Sequence, residues 1–192
     1  MKNTQVLLRE YIHTVLKEAA RRPVKKLRVF DFDDTLVKTN SKIHVTSASG
    51  EKFDLTPGEY AVYEKSPGDD FDYSDFSRLI DPQEIVWTGR ILRSLVSKGS
   101  EVVILTARAV EEPVHQFLDD IGLPRIPVIA LADSDPKKKA DYIERRIRRD
   151  GFDYVEFFDD SYKNIQAVSD LAPRFPDVRI STRHIVEKTK IN

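Results

Sequence analysis

Acidic residues stand directly after two apolar segments of the chain, and this placement is the first indication of chemistry. Asp31 and Asp33 follow the apolar segment 27–30, and Asp159 and Asp160 follow a second one. Two like charges about 4 Å apart repel by roughly 4 kcal/mol at an effective dielectric near 20, so carboxylates that share a crevice need a neutralising cation. A hard divalent ion with oxygen ligands, such as Mg²⁺, meets that need. The acids therefore predict a magnesium site, provided that the fold brings them together.

A hydroxyl group and an amine accompany these acids. Thr106 follows the apolar segment 102–105, and the lysines 137–139 begin a predicted helix. A hard cation together with a lysine suits a phosphoryl group, whose equatorial oxygens carry negative charge. In such a site one carboxylate acts as nucleophile through an acyl phosphate, and a second one protonates the leaving oxygen. The residue types thus point to phosphoryl transfer.

The elements that must position these groups alternate between apolar strands and amphipathic helices. Strands are predicted over residues 27–32, 101–105, 126–131, 154–158 and 178–181, with helices over 81–98, 111–121, 136–149 and 163–171 between them. This alternation is typical of an α/β fold with a parallel sheet covered on both faces. Trp87 falls within one of the predicted helices and is expected to lie in the core. Ligands of such sheets lie at the carboxyl ends of the strands, which is where the acids and Thr106 are expected.

Four motifs of the chain resemble those of the haloacid dehalogenase superfamily of phosphohydrolases, and they occur in the same order. The first is FDFDDTL at 30–36, the second VVILTAR at 102–108, the third a lysine among 137–139, and the fourth FFDDSYKNI at 157–165. One such motif is weak evidence, whereas four in order are specific. The resemblance implies a three-layer Rossmann-like parallel sheet with helices on both faces. It also implies a phosphatase of the small-cap or flap type, similar to the phosphatase domains of polynucleotide end-repair enzymes and to small phage-type members.

The resemblance implies roles for the acids and the lysines. Asp31 would be the nucleophile and a metal ligand, and Asp33 the acid/base, which also contacts the metal through its backbone carbonyl. Asp160, supported by Asp159, would complete the Mg²⁺ site. Lys139 is the expected active-site lysine, because a buried helix face is predicted one turn later. The alternatives that stay open are Lys138 and Lys137.

Further positions follow from the second and fourth motifs. Thr106 would bind the transferred phosphoryl group, with Ala107 and Arg108 beside it. Two positions depart from the family pattern. Asp34 stands where many relatives have glycine, and Asn164 stands where many members place a second acid. The second departure leaves more of the metal binding to the acids at 159 and 160.

The predicted organisation is an N-terminal amphipathic helix over 1–22 and a phosphatase core over 23–192, with an insert at about 40–80. The N-terminal helix either packs against the core or serves as a docking arm. The insert is expected to contain a hairpin over 42–55 and irregular structure over 56–80, which is too short for a full cap domain and predicts a β-hairpin flap. Its aromatic residues either stack on a substrate or form a local core; they are Tyr60, Tyr63, Phe71, Tyr73 and Phe76.

The composition excludes several classes of function. The chain has no cysteine, which excludes disulfides, zinc-thiolate sites and the thiol-based phosphatase mechanism. No apolar segment approaches the roughly 20 residues that cross a bilayer. The N-terminus has no apolar signal core, so a cytoplasmic protein without a membrane partner is expected. The 31 basic and 32 acidic residues nearly balance, which disfavours a chain-wide nucleic-acid-binding surface.

The function predicted is that of a Mg²⁺-dependent phosphohydrolase, which cleaves phosphate monoesters through an aspartyl phosphate. A small flap leaves the site open. In the superfamily that the chain resembles, open sites often go with large substrates such as nucleic-acid ends or phosphoproteins, so the resemblance implies nucleotides or nucleic-acid ends as substrates. The alternatives are a phosphotransferase on the same fold, or a nucleic-acid-binding module that uses the arginine-rich helix near 145–149. A receiver-type signalling domain is disfavoured, because the end of its third strand would need an acceptor acid where residues 130–132 are Ala-Leu-Ala. The oligomeric state is left open.

Overall fold

A computed structural model describes residues 4–21, 23–123 and 126–186. Some parts of the two predicted segments, 1–22 and 23–192, lie outside the described residues; they are 1–3, 22, 124–125 and 187–192. In chain order the elements are α1 (Thr4–Arg21), β1 (Lys26–Phe30), β2 (Val37–Lys38), β3 (Ile43–Thr46), β4 (Lys52–Leu55), α2 (Pro57–Val62), β5 (Asp70–Asp72), β6 (Gln83–Glu84), α3 (Val86–Ser97), β7 (Glu101–Thr106), α4 (Glu112–Asp120), β8 (Val128–Ala130), α5 (Pro136–Asp150), β9 (Tyr154–Asp159), α6 (Tyr162–Ser169) and β10 (Arg179–His184).

Five of these strands form a central, wholly parallel sheet in the order β10-β9-β1-β7-β8. Because successive side chains of a strand point to opposite faces, the apolar strands supply two cores. One core packs the sheet against α3 and α4 and includes Phe30, Ile104, Leu92 and Phe117. The other packs it against α5 and α6 and includes Val29, Leu105, Ile143 and Ile165. The chain is therefore a mixed α/β protein with a Rossmann-like parallel sheet flanked by helices, as predicted.

The strand order creates a crevice beside β1. From β1 the chain proceeds to β7 and β8 on one side, and then returns to the opposite side of β1 with β9 and β10. In open α/β sheets, ligands bind where the strand order reverses, outside the carboxyl ends of the strands. The carboxyl ends of β1 and β9 therefore form the place in this fold where a site is expected.

The insert between β2 and β6 is more regular than its sequence predicts. The hairpin predicted over 42–55 is formed by β3 and β4, and β5 adds a third antiparallel strand. The prediction of irregular structure over 56–80 was wrong for β5 and for α2. Helix α2 begins with a capping box, in which the Thr56 hydroxyl accepts from the Glu59 N–H and the Glu59 carboxylate accepts from the Thr56 N–H.

The aromatic residues of the insert pack against one another. The rings of Tyr60 and Phe71 meet edge to face at 5.5 Å between centroids, and Tyr60 meets Tyr73 in the same way at 5.8 Å. Tyr63 contacts Phe71 at 6.1 Å. For these four rings, packing supports the predicted local core, whereas the Phe76 ring lies 5.2 Å from the guanidinium carbon of Arg108.

Helix α3 begins four residues later than predicted, at Val86 instead of Pro82. The pair Asp81-Pro82 is a typical helix start, but Asp81 has a φ of 47° and the segment 83–84 pairs with 37–38. The helix then begins at Val86. This shift places Trp87 on the outer side, 58% exposed, so the prediction that Trp87 belongs to the core was wrong.

Helix α1 lies within the predicted N-terminal helical segment 1–22. Its apolar stripe is exposed, however, with Leu8, Tyr11, Ile12 and Val15 between 44% and 68% accessible. Of the two alternatives for this helix, packing of the stripe against the core is therefore not observed. No helix among residues 4–21, 23–123 and 126–186 combines the length and apolar character that crossing a membrane requires.

Candidate active site

Three carboxylates meet at the carboxyl ends of β1 and β9. The two strands pair in register up to Phe30 and Phe158, so that Asp31 and Asp159 follow side by side. The Asp31 N–H donates to the Phe158 carbonyl oxygen at 2.9 Å, which extends the ladder by one bond. With Asp160, these acids each offer one oxygen within 4.8 Å of the others. We call Asp31, Asp159 and Asp160 the acid cluster.

A tight turn over residues 32–36 follows Asp31 and contains Asp33. The Leu36 N–H returns to the Phe32 carbonyl at 2.8 Å, and Asp34 takes a φ of 55°. This left-handed conformation is free of steric cost for glycine and is tolerated by aspartate better than by most other residues. The turn therefore accommodates Asp34 in a backbone conformation that favours glycine.

Lys139 reaches the acid cluster from helix α5. The helix begins at Pro136, and its N-cap Asp135 accepts from the Lys137 N–H at 2.9 Å. Lys139 then lies on the buried face, with 4% of its surface exposed. Its Nζ donates to Asp31 Oδ1 at 2.5 Å and to Asp159 Oδ2 at 2.7 Å. One ammonium group thus bridges two of the three carboxylates.

The neighbouring lysine does not join the acid cluster. The Lys138 ammonium lies 3.5 Å from Asp133 Oδ2, and about half of the Lys138 side chain is exposed. Consecutive helical residues point about 100° apart, so only one of two adjacent lysines can face the cluster. Of the candidates at 138 and 139, the structure brings only Lys139 to the acids.

The pKa values of the acid cluster reflect first its burial and then its excess of negative charge. Burial raises the pKa of Asp31 to about 6, and Asp159 adds to this rise while Lys139 opposes it. Burial, together with Asp31 and Asp159, raises the pKa of Asp160 to about 8. Burial alone would lower the pKa of Lys139, but the two acids that it bridges outweigh burial and raise it. The site therefore keeps its ammonium charged and lacks positive charge for the third carboxylate.

Asp159 is the most firmly held of the three acids. It is fully buried, and its Oδ1 accepts from the Ser161 N–H at 2.8 Å. Asn164 Nδ2 donates to both of its oxygens, at 3.0 and 3.1 Å. The sequence predicts Asn164 only as a missing acid, and its role as a donor to Asp159 was not foreseen. Asn164 comes five residues after Asp159, in the first turn of α6, and this spacing is the signal that could have indicated the contact.

Arg108 holds the second aspartate of the first motif. Its Nε and Nη2 donate to the two oxygens of Asp33, at 2.9 and 2.7 Å, in a forked pair. Its Nη1 donates to the carbonyl oxygens of Phe76 and Arg78, at 2.9 and 3.0 Å. The predicted contact of Arg108 with a phosphoryl group stays a prediction, because the described structure directs its guanidinium to Asp33. Burial raises the pKa of Asp33, and this arginine opposes the rise.

The remaining predicted residues lie at the carboxyl end of β7. Thr106 is fully buried, and its hydroxyl oxygen accepts from the Arg108 N–H at 3.1 Å. Ala107 follows it and is half-buried. Because β7 pairs with β1 in parallel, Thr106 ends its strand beside the segment that carries Asp31. Both residues stand at the predicted edge of the sheet.

The acid cluster has the donor set of a site for a hard cation. All three side chains offer carboxylate oxygens, and a single lysine is the cation among them. Oxygen ligands and excess negative charge suit Mg²⁺ or a similar divalent ion. The Asp33 carboxylate lies outside this group, and the contact of its backbone carbonyl with a metal stays a prediction.

Comparisons with known proteins add little to this geometry. The sequence matches no family model, and no curated protein matches it. A solved structure of the hypothetical protein XCC2798 from Xanthomonas campestris is similar at 18% identity and a TM-score of 0.40, covering 83% of this chain and 73% of that chain. A likeness this weak carries no argument about the fold or the function.

Proposed function

We propose that this chain is a Mg²⁺-dependent phosphohydrolase of the haloacid dehalogenase type, which cleaves phosphate monoesters through an aspartyl phosphate on Asp31. The observation that carries the proposal is the bridge from Lys139 to Asp31 and Asp159 within a cluster of three carboxylates. This bridge holds the buried Asp31 carboxylate in one orientation and places a cation beside it. Both features are what an aspartate nucleophile at a dianionic phosphate requires.

In the proposed first step, a carboxylate oxygen of Asp31 attacks the phosphorus atom. A bond forms between that oxygen and phosphorus, and the bond from phosphorus to the leaving oxygen breaks. Asp33 gives its proton to the leaving oxygen, and Thr106 binds an oxygen of the transferred group. When bound at Asp31, Asp159 and Asp160, Mg²⁺ supplies positive charge that offsets the carboxylates and the phosphoryl oxygens.

In the second step, water attacks the phosphorus of the aspartyl phosphate. Asp33 takes a proton from this water, which restores the acid for the next turnover, and Asp31 leaves as a carboxylate. Lys139 stays charged in both steps and offsets the negative charge of Asp31 and of the phosphoryl group. The products are an alcohol and inorganic phosphate.

The forked pair with Arg108 orients the Asp33 carboxylate that we assign as the acid/base, and the burial that raises the pKa of Asp33 is what favours its proton. A carboxylate held through both oxygens keeps one orientation, and a fixed proton donor contributes about 10²–10⁴-fold to such reactions. Because the same guanidinium binds the carbonyls of Phe76 and Arg78, it also ties the end of the insert to Asp33. We infer that the insert acts as a small flap beside the site.

The small size of this flap supports large substrates with accessible phosphates, such as nucleotides and nucleic-acid ends. A phosphotransferase would share the first step and differ only in the acceptor that replaces water. A receiver domain would need an acid at the end of β8, where the chain has Ala130 and Leu131. No contact described above favours either alternative over hydrolysis.

A phosphatase screen with Mg²⁺ and with EDTA tests the proposal. It covers an aryl phosphate, nucleotides, oligonucleotides phosphorylated at the 3′ or the 5′ end, sugar phosphates and phosphopeptides. We expect release of inorganic phosphate with Mg²⁺ and its loss with EDTA. If no substrate class releases phosphate with either Mg²⁺ or Mn²⁺, the proposal is contradicted. Transfer of the phosphoryl group to an added alcohol would favour the phosphotransferase.

A further inference from the structure

The start of helix α3 is hydrogen-bonded to the turn over residues 32–36. The Ile85 N–H, just before the helix, donates to the Leu36 carbonyl oxygen at 2.9 Å. Three residues later, the Thr88 hydroxyl donates to the Thr35 carbonyl oxygen, 53 positions away in the chain. The backbone of this turn is therefore held by α3 as well as by its own hydrogen bonds.

Thr88 bonds across to this turn although an acceptor is available within its own helix. A threonine in a helix commonly donates back to a carbonyl of the preceding turn, and the Ile85 carbonyl oxygen lies 3.1 Å from the Thr88 hydroxyl. The Thr35 carbonyl lies closer, and a hydroxyl has a single proton to donate. Both Thr88 and Thr35 are fully buried. Because a buried carbonyl is costly to leave without a donor, the Thr88 hydroxyl fixes the backbone at Thr35.

The side chain of Thr35 contacts the acid cluster. Its Oγ1 donates to Asp160 Oδ1 at 3.4 Å, across 125 positions of the chain. This length is close to the upper limit for a hydrogen bond, so a small displacement of Thr35 is enough to break it. A line of two contacts thus leads from the Thr88 hydroxyl through Thr35 to the carboxylate of Asp160.

The other two acids of the cluster have closer donors than Asp160 has. The Nζ of Lys139 lies 2.5 Å from Asp31 Oδ1 and 2.7 Å from Asp159 Oδ2. Within the part of the chain that the structure describes, the Asp160 carboxylate has the Thr35 hydroxyl as its hydrogen-bond donor, at the longer distance. The orientation of Asp160 is therefore the one in the cluster that depends most on where Thr35 lies.

We propose that Thr88 is a positioning residue of the metal site: its hydroxyl holds Thr35, which in turn orients the carboxylate of Asp160 within the acid cluster. This inference rests on the Mg²⁺ site of the proposed function. Residues that hold a metal ligand in place commonly change metal affinity or activity by about 10–100-fold when they are replaced. A threonine with a purely structural role would change the stability of the fold and leave the Mg²⁺ affinity of the folded chain unaltered.

Isothermal titration calorimetry of the full chain with Mg²⁺ tests this proposal, because it measures the Kd without any turnover. Thr88→Val keeps the shape of the side chain and removes its donor, whereas Thr88→Ser keeps the donor. Thr182→Val is the matched control, since its hydroxyl lies 3.1 Å from that of Ser169 and takes no part in the contacts that lead to Asp160. Circular dichroism checks the fold of every variant. Should Thr88→Val fail to fold, Thr88→Ser is compared with Thr88→Ala, which differs from it only in the hydroxyl.

We expect Thr88→Val to bind Mg²⁺ about tenfold more weakly than the unaltered chain, and Thr88→Ser and Thr182→Val to bind it within about twofold of the unaltered chain. Thr35→Val, which removes the donor to Asp160, should weaken binding by at least as much as Thr88→Val. Because both residues act through the same contact, adding Thr88→Val to Thr35→Val should cause little further loss. This lack of additivity is what distinguishes a line of contacts from two independent effects.

The proposal is overturned by an unchanged Kd in Thr88→Val, by an equal loss in Thr182→Val, or by a loss in the double variant that equals the product of the two single losses. Mg²⁺ binding without release of phosphate from any substrate would contradict the proposed function alone, and the Kd values of the variants would still decide the role of Thr88. No Mg²⁺ binding by the unaltered chain would overturn both.

Discussion

The Nζ of Lys139 donates to Asp31 Oδ1 at 2.5 Å, although the two residues are 108 positions apart in the chain. Both are nearly fully buried. A buried ammonium keeps its charge only when acids compensate the loss of hydration. The two residues therefore stabilise each other's charge: Lys139 stabilises the ionised form of Asp31, and the acids stabilise the charged form of Lys139.

Replacement of Lys139 by methionine tests this unit. The change keeps the length of the side chain and removes its charge, so we expect the rate of aryl phosphate hydrolysis to fall by about 10²–10³-fold. The free energy of unfolding falls as well, because breaking a buried pair costs about 3–5 kcal/mol. Initial rates and thermal melts measure both effects. Lys138→Met is the matched control, and an equal loss of activity in that variant would show that the wrong lysine has been assigned.

Magnesium should stabilise the chain through the acid cluster. At about 100 times its Kd, an ion that binds only the folded state contributes about 2.7 kcal/mol, which corresponds to a rise in Tm of about 5–11 °C for a chain of this size. Asp160→Asn removes one of the three carboxylates, and we expect this variant to lose most of the rise. Asp177→Asn, at an exposed position away from the cluster, should keep it. A full rise in Tm in Asp160→Asn would place the ion elsewhere.

Arg108 is expected to act on the reaction through Asp33. A lysine at this position keeps the charge but cannot form the forked pair, so we expect Arg108→Lys to lower kcat about 10²-fold with little change in KM. The variant also loses donors to the carbonyls of Phe76 and Arg78. Steady-state kinetics measures the split between kcat and KM. Arg78→Lys is the control, because it retains that backbone carbonyl, and a rise in KM alone in Arg108→Lys would favour direct binding of substrate.

His44 of the insert should titrate above its ordinary pKa of about 6.5. Its Nδ1 lies 2.7 Å from Asp54 Oδ1, and this hydrogen bond raises its pKa, with further contributions from the charges of Asp54 and Asp75. Asp72 faces it as well, since His44 lowers the pKa of that acid. Because the folded pKa is raised, the contact stabilises the insert below the unfolded pKa and is lost as the pH rises through the folded one. NMR titration of the imidazole measures the pKa of His44. Asp54→Asn should return this pKa toward about 6.5. An unchanged pKa in that variant would show that Asp54 is not the cause of the rise.

Local sequence patterns predict the central sheet and part of the site. Each buried strand is recognisable from its uninterrupted run of apolar residues. The acids that follow these strands reach one edge of the sheet because the strands are parallel. Lys139 was predicted from a helical spacing to Ile143, which the structure places on the same buried face. The structure confirms the sheet and the position of Lys139 beside the acids, because these follow from patterns within single elements and from the parallel direction of the strands. That these residues form an active site stays a prediction.

Other features depend on partners that are distant in the chain and leave no local trace. The pairing of β2 with β6 replaces the first turn of the helix that Asp81-Pro82 would begin, and it exposes Trp87. The forked pair of Arg108 and Asp33 joins residues 75 positions apart. Neither spacing nor composition indicates such a contact, because each residue alone is an ordinary polar residue after a strand.

The central claim is that Asp31 becomes phosphorylated during turnover. The most direct measurement is an acid quench of the chain with Mg²⁺ and an aryl phosphate, followed by mass spectrometry of its peptides. The account predicts a phosphoryl group on the peptide that contains Asp31, sensitive to hydroxylamine as an acyl phosphate is. Asp31→Asn should show neither the adduct nor hydrolysis, while its circular dichroism spectrum stays that of the unaltered chain. Full hydrolysis by Asp31→Asn, or an adduct on another residue, would contradict the account.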